Sequence, residues 1–236
     1  MRKMFLILFI LPVFSGQSQS SITGSISNNP STLNNHFYVN ADLPVILDKY
    51  PRFANGTPYF LEEWVNADIV LGSGEIYENI KMRLDLVENT LQYINPRGAE
   101  LIATSLIKTV TLKDSVHQNE YKFVYSSFLK GSKNIEKGWY MVLASGKATL
   151  YKYMVKTVEQ PKIYSSSTTE ASINTAAEYF IYTDSVLSCV KRIKELSGLL
   201  KDKTNELSEY MSTKKLSGKS DSNYADLVKY YNGLAP

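Results

Sequence analysis

"IVLGSGEIYENIKMRLDL", residues 69–86, decides the fold, because its apolar residues recur with a period of two. Ile76, Ile80, Met82 and Leu84 alternate with Tyr77, Asn79, Lys81 and Arg83, and Glu78 is the one polar residue on the apolar side. Such alternation predicts an antiparallel strand with one face on a core and the other towards water. Residues 69–71 read as its hairpin partner and Gly72-Ser73-Gly74 as the turn between them. A phosphate-binding loop would instead need spaced glycines and a Gly-Lys-Ser/Thr leading into a helix. Here Glu75 puts a negative charge where the anion would sit, and a strand follows. Ser217-Gly218-Lys219-Ser220 ends like such a loop, but Thr213 stands where its first glycine belongs.

Working outwards, Glu88-Asn89 and Pro96-Arg97-Gly98 turn the chain, and strands are expected over 91–94, 101–112, 121–128, 139–144, 149–158 and 176–182. From Asp184 the period becomes helical: Val186, Cys189, Val190 and Ile193 make one stripe, capped by Asp184 or Ser185. Leu207, Tyr210 and Met211 make a second stripe, and Tyr224, Leu227, Val228 and Tyr231 a third, opened by Ser220 or Asp221. The expected fold is α+β: an antiparallel β-meander or open barrel of about eight strands over residues 36–183. A helical C-terminal region of two or three helices, residues 184–236, packs on that sheet.

Residues 1–18 read as a signal peptide. Arg2 and Lys3 are its charged start, residues 4–14 its apolar stretch, and Gly16 and Ser18 its small cleavage residues. The apolar stretch falls short of the roughly 20 residues that span a bilayer. Cleavage removes two basic residues and lowers the formal charge from +3 to +1. That leaves no electrostatic footprint for nucleic acid and no integral membrane segment. Residues 19–35 are rich in Ser and Asn and form a flexible leader. The single cysteine, Cys189, rules out an internal disulfide, and its place on a helical stripe predicts a buried structural thiol. The expected location is the bacterial envelope, periplasmic or secreted.

Catalytic signals are sparse. Two histidines, His36 and His117, lie far apart in polar segments, so neither a metal site nor a serine triad is expected, and no cofactor is implied. Glu62, Glu63, Glu75, Glu78, Asp85 and Glu88 gather around the first hairpin, and two carboxyls suffice for a glycosidase-like hydrolase. The aromatic content points to binding instead. Of seventeen tyrosines, Tyr77, Tyr93, Tyr121, Tyr125, Tyr151 and Tyr153 fall on expected strands, where their rings can stack on a ligand. Trp64 and Trp139 are expected core anchors. The leading expectation is a non-catalytic binding or interaction module for a small ligand, a glycan or an envelope protein. A carboxylate-dependent hydrolase and a purely structural envelope protein are the alternatives.

"NGTPYFLEEWVNADIVLGSGEIYENIKMRLDLVENTLQY", within a resemblance that covers about residues 55–95 and 184–232, is similar to a pattern in small uncharacterised secreted or periplasmic proteins of Bacteroidota. The matching positions are Gly56, Pro58, Tyr59, Trp64, Gly74, Tyr77, Asn79 and Asp85, with Ala67 in place of a glycine. The tail, "LLKDKTNELSEYM" and "LVKYYN", is similar to their helical ends. The resemblance implies export and brings no activity, so it assigns no catalytic residue.

Overall fold

The structure is a computed structural model that describes residues 43–44, 50, 53–129, 135–159 and 171–234. The expected signal peptide and leader lie outside the described residues. Among the described residues, twelve strands form one sheet. They are β1 (Leu43–Pro44), β2 (Phe53–Asn55), β3 (Val65–Leu71), β4 (Ile76–Asp85), β5 (Thr90–Ile94) and β6 (Glu100–Ile102). The second half comprises β7 (Ile107–Asp114), β8 (Asn119–Tyr125), β9 (Trp139–Ala144), β10 (Thr149–Glu159), β11 (Ala171–Thr183) and β12 (Val186–Val190). Without the two short leading segments, ten strands run in the order β6-β5-β4-β3-β7-β8-β9-β10-β11-β12, antiparallel throughout. The sheet is therefore an open antiparallel one, with more strands than the period-two segments suggest.

It is also strongly coiled. The Lys156 N–H of β10 donates to the carbonyl of Leu86, just past β4, at 3.2 Å. Residues 53–60 strap this meeting together. β2 pairs in parallel with the start of β11, and Phe60 and Pro58 exchange backbone hydrogen bonds with Leu84 and Leu86. Inside the coil lie Ile69, Ile80, Met82, Leu84, Tyr93, Val110, Leu112 and Phe123, all fully buried. Trp139 joins this core as expected. Trp64 has a different task, described below.

The first hairpin forms as read: β3 pairs with β4, and Gly74, at φ +97°, closes the turn with its N–H on the Leu71 carbonyl. The faces of β4 do not follow strict alternation. Ile76 is 57 % exposed, whereas Tyr77 is 4 % exposed and packs in the core. The cause is a β-bulge. Ala67 pairs with Ile80 and Ile69 with Tyr77, so Glu78 and Asn79 together oppose Asp68. Asn79 takes a left-handed φ of 57°, and its N–H donates to Asp68 Oδ1 at 3.1 Å. The extra residue moves Glu78 off the apolar face and brings Tyr77 inward. Asparagine is among the few residues that tolerate this conformation, and a β-branched side chain is not. We expect Asn79→Val to lower stability by about 1–2 kcal/mol and Asn79→Gly by less than about 0.5 kcal/mol, read by urea denaturation.

The helical reading of 184–193 is corrected. Val186–Val190 is strand β12, paired with β11. Asp184 and Ser185, at φ +49° and +64°, form the two-residue hairpin turn joining them rather than a helix cap. Side chains then alternate, with Leu187 joining the outer cluster and Val190 the cluster under the helices. Helices follow: α1 (Glu195–Leu199), α2 (Thr204–Lys214) and α3 (Asp221–Leu234). Their apolar faces, with Leu196, Leu207, Leu227 and Val228 fully buried, close over Ala148, Leu150 and Ile181 of the sheet.

Candidate functional site

The six tyrosines of the expected binding face divide between the two sides of the sheet. Tyr77 and Tyr93 are core residues. Tyr121 and Tyr125 flank the same core, edge-on to Phe60 and Trp139 respectively. Tyr151 and Tyr153 point to the opposite, outer face, where Tyr140, Phe180 and Leu187 form a separate cluster. Tyr153 is consumed by packing: it stacks on Tyr140 at 4.8 Å and donates its hydroxyl to the Lys137 carbonyl at 3.2 Å. The six do not line one cavity.

Tyr151 alone of the six borders an open outer-face cleft. It has a volume of about 420 Å³ and runs over β7, β8, β9, β10 and β11. Its floor is Thr109, Val124, Val142, Tyr151 and Tyr182, and Phe128 and Leu129 rise beside it. Period-two alternation places these floor residues on one face, because Thr109 pairs with Val124 and Tyr151 with Val142. The wall comes from the 3-10 turn Ser126–Phe128, anchored by Ser126 N–H on the Gly138 carbonyl at 2.9 Å. Gly72 of the first hairpin lies beneath that wall. A Cβ on Gly72 would fall 3.0 Å from the Phe128 ring, so the missing side chain is what lets the ring settle there. Lys108 and Lys122 complete the rim, no carboxylate lines the cleft, and neither lysine makes an ion pair among the described residues. Burial, with Tyr182 adding to it, pushes the Tyr151 phenol above its ordinary pKa, so the hydroxyl stays a donor at neutral pH.

No protein-family model, curated protein or solved structure matches this chain. The site must be read from its own geometry.

The acids around the hairpin are divided among separate places in the fold. Glu75 sits at the hairpin tip and accepts from Ser73 Oγ at 3.0 Å. Glu62 and Glu63 line a different cleft of about 450 Å³, with Trp64, Lys81, Asp114 and His117. There the Asp114 carboxylate accepts from His117 Nδ1 at 2.7 Å and from the N–H groups of Val116 and His117. These bonds, the one from the histidine ring foremost, hold the Asp114 pKa below the usual carboxylate value. The pair is the stitching of the β7–β8 turn. His36 lies outside the described residues, and no cluster of three metal-ligating side chains occurs among the described ones. Cys189 is exposed on β12 rather than buried on a helix.

Asp85 belongs to neither cleft. It is fully buried and accepts from Tyr50 Oη at 2.6 Å and from the N–H groups of Val87 and Glu88 at 2.9 and 3.0 Å, with Gln92 Nε2 at 3.5 Å. Burial, reinforced by this carboxylate, holds the Tyr50 phenol far above its ordinary pKa. Next to it the Arg83 guanidinium is sandwiched between Tyr59 and Trp64, 3.6 and 4.3 Å from their ring centroids, and donates to Gln92. Lys156 donates to the carbonyls of Thr57 and Tyr59 at 2.9 and 2.5 Å, and burial lowers its pKa. The cluster fastens the strap to the sheet. Tyr59, Trp64 and Asp85, three of the positions that carry the resemblance, thus have architectural work.

Sequence reasoning missed Lys108, Lys122, Phe128 and Tyr182. A signal was present: Val124, Val142 and Tyr151 are apolar on the face that a half-solvated sheet would fill with polar residues.

Proposed function

We propose that this chain is an exported, non-catalytic binding module of a bacterial envelope, of the kind the resemblance to secreted Bacteroidota proteins implies, and that its ligand sits in the outer-face cleft. The observation that carries the reading is the composition of that cleft: an aromatic and aliphatic floor, two lysines without carboxylate partners among the described residues, and hydroxyls from Thr109, Ser145 and Thr149. Small-molecule sites combine a mostly apolar lining with a few placed polar groups, in volumes of roughly 300–1,000 Å³. The hydrolase reading draws only on Glu62 and Glu63, whose cleft contains neither Glu75 nor Asp85.

Native mass spectrometry of the protein purified from its own host tests the proposal. A retained small molecule is expected, with Tyr151→Ala weakening its binding by roughly tenfold or more, about 1.4 kcal/mol. A co-purifying protein with no retained molecule would overturn it, as would a ligand whose binding ignores Tyr151.

A further inference from the structure

Resting on that cleft, we infer that its ligand is a small amphiphile with one anionic end, a carboxylate or phosphate on an acyl or aryl body. The argument is the order of side chains across the sheet. Lys108 stands on β7 and Lys122 on β8, next to the Thr109–Val124 pair. Beyond them come Val142 on β9, Tyr151 on β10 and Tyr182 on β11, with Phe128 and Leu129 alongside. The cleft is therefore cationic at one end and aromatic at the other. Four strand spacings separate β7 from β11, which at about 4.8 Å each makes roughly 19 Å. That is the reach of a medium-length chain rather than of a single ring.

A lysine ammonium is a compact, strongly hydrated point charge, suited to a single oxyanion. Lys113, further along β7, is neutralised by Asp68 at 2.6 Å, and Lys152 on β10 by Asp221 at 2.7 Å. The rim lysines of the cleft have no such partner among the described residues, so both ammoniums are free to meet an anionic end of a ligand. A purely apolar ligand would gain nothing from the two charges, and a cationic one would be repelled.

Three dodecyl probes of equal chain length separate the possibilities below their micellar concentrations: dodecanoate, dodecyl glucoside and dodecyltrimethylammonium. Affinities are read by isothermal titration on the wild type and on Lys108→Gln/Lys122→Gln, with Tyr151→Ala to locate the site. The expected result is that dodecanoate binds at least tenfold more tightly than either other probe. The double lysine variant should lose that advantage while keeping its affinity for the glucoside within about twofold. Dodecyl phosphate following dodecanoate through both variants would support the oxyanion class, and inorganic phosphate alone should not bind. If the glucoside binds as tightly as dodecanoate and Tyr151→Ala weakens both, the anionic class is wrong while the cleft stands. If no probe is sensitive to Tyr151→Ala, the cleft reading falls and the ligand class with it. Circular dichroism of each variant guards against misfolding, since Lys108 and Lys122 are exposed.

Discussion

Asp85→Ala is expected to destabilise the protein by about 3–5 kcal/mol, among the largest effects of any single polar substitution here. The carboxylate is 0 % exposed and receives the Tyr50 hydroxyl, two backbone N–H groups and the Gln92 amide. Alanine leaves those donors, the buried Gln92 amide among them, without their acceptor, and an unsatisfied donor costs roughly 1–3 kcal/mol where water cannot reach it. It also loosens the meeting of strap and sheet, because Tyr50 loses its anchor. Asp85→Asn is the informative control. Its amide oxygen can still accept from Val87 and Glu88, so a smaller loss of about 1–2 kcal/mol is expected. Urea denaturation followed by tryptophan fluorescence reads both, because Trp64 lies on Arg83 within this cluster. A loss below about 1 kcal/mol for the alanine variant would mean that water enters and satisfies the donors, and that the strap is held elsewhere.

That cluster marks the boundary of what the chain discloses locally. The hairpin from Ile69 to Leu84 was legible because a period of two and a glycine turn are both local signals. Its bulge was not, since alternation cannot register one extra residue. The clues were Glu78 on the wrong face and Asn79 beside it, a residue type that accepts a left-handed backbone. The stretch 186–193 was ambiguous for a related reason. Apolar residues at 186, 187, 189 and 190 satisfy a helical stripe and a strand buried on both faces equally well. Asp184 and Ser185 serve a helix cap or a tight turn with the same chemistry. The α2 and α3 helices, with no β-branched run, were readable. The strap and the cleft depend on contacts between distant segments, Lys156 with Thr57 and Gly72 beneath Phe128, which no local period encodes. Of the candidate tyrosines, only Tyr151 reaches the cleft, because strand propensity says that a tyrosine fits a sheet but not which face it takes.

Leu227→Ala is expected to cost about 3–5 kcal/mol and, more tellingly, to do so in a single transition. Leu227 is fully buried on α3 among Ala148, Leu150 and Ile181, so truncation opens a cavity between helix and sheet. Specific bonds tie the two layers as well. Asp221 at the start of α3 accepts from Lys152 Nζ at 2.7 Å and from Tyr179 Oη at 2.6 Å, and Tyr179 stacks on Tyr224 at 4.1 Å. At the far end Asn232 makes a two-way amide clasp with the backbone of Ala148, at 2.8 and 2.9 Å. Gly146 provides the room for it, since a Cβ there would fall 2.6 Å from the Asn232 amide. A tail fixed at both ends and buried along its middle should unfold with the sheet, as one cooperative unit. Far-UV dichroism at the helical band reports the tail, and tryptophan fluorescence reports the coiled sheet, because Trp64 and Trp139 both lie there. Coincident midpoints, shifted together by Leu227→Ala, are the expected outcome. Should the helical signal be lost first while the fluorescence midpoint stays in place, α3 would be a separately folding appendage, and its clasp on Ala148 a surface contact of little energetic consequence.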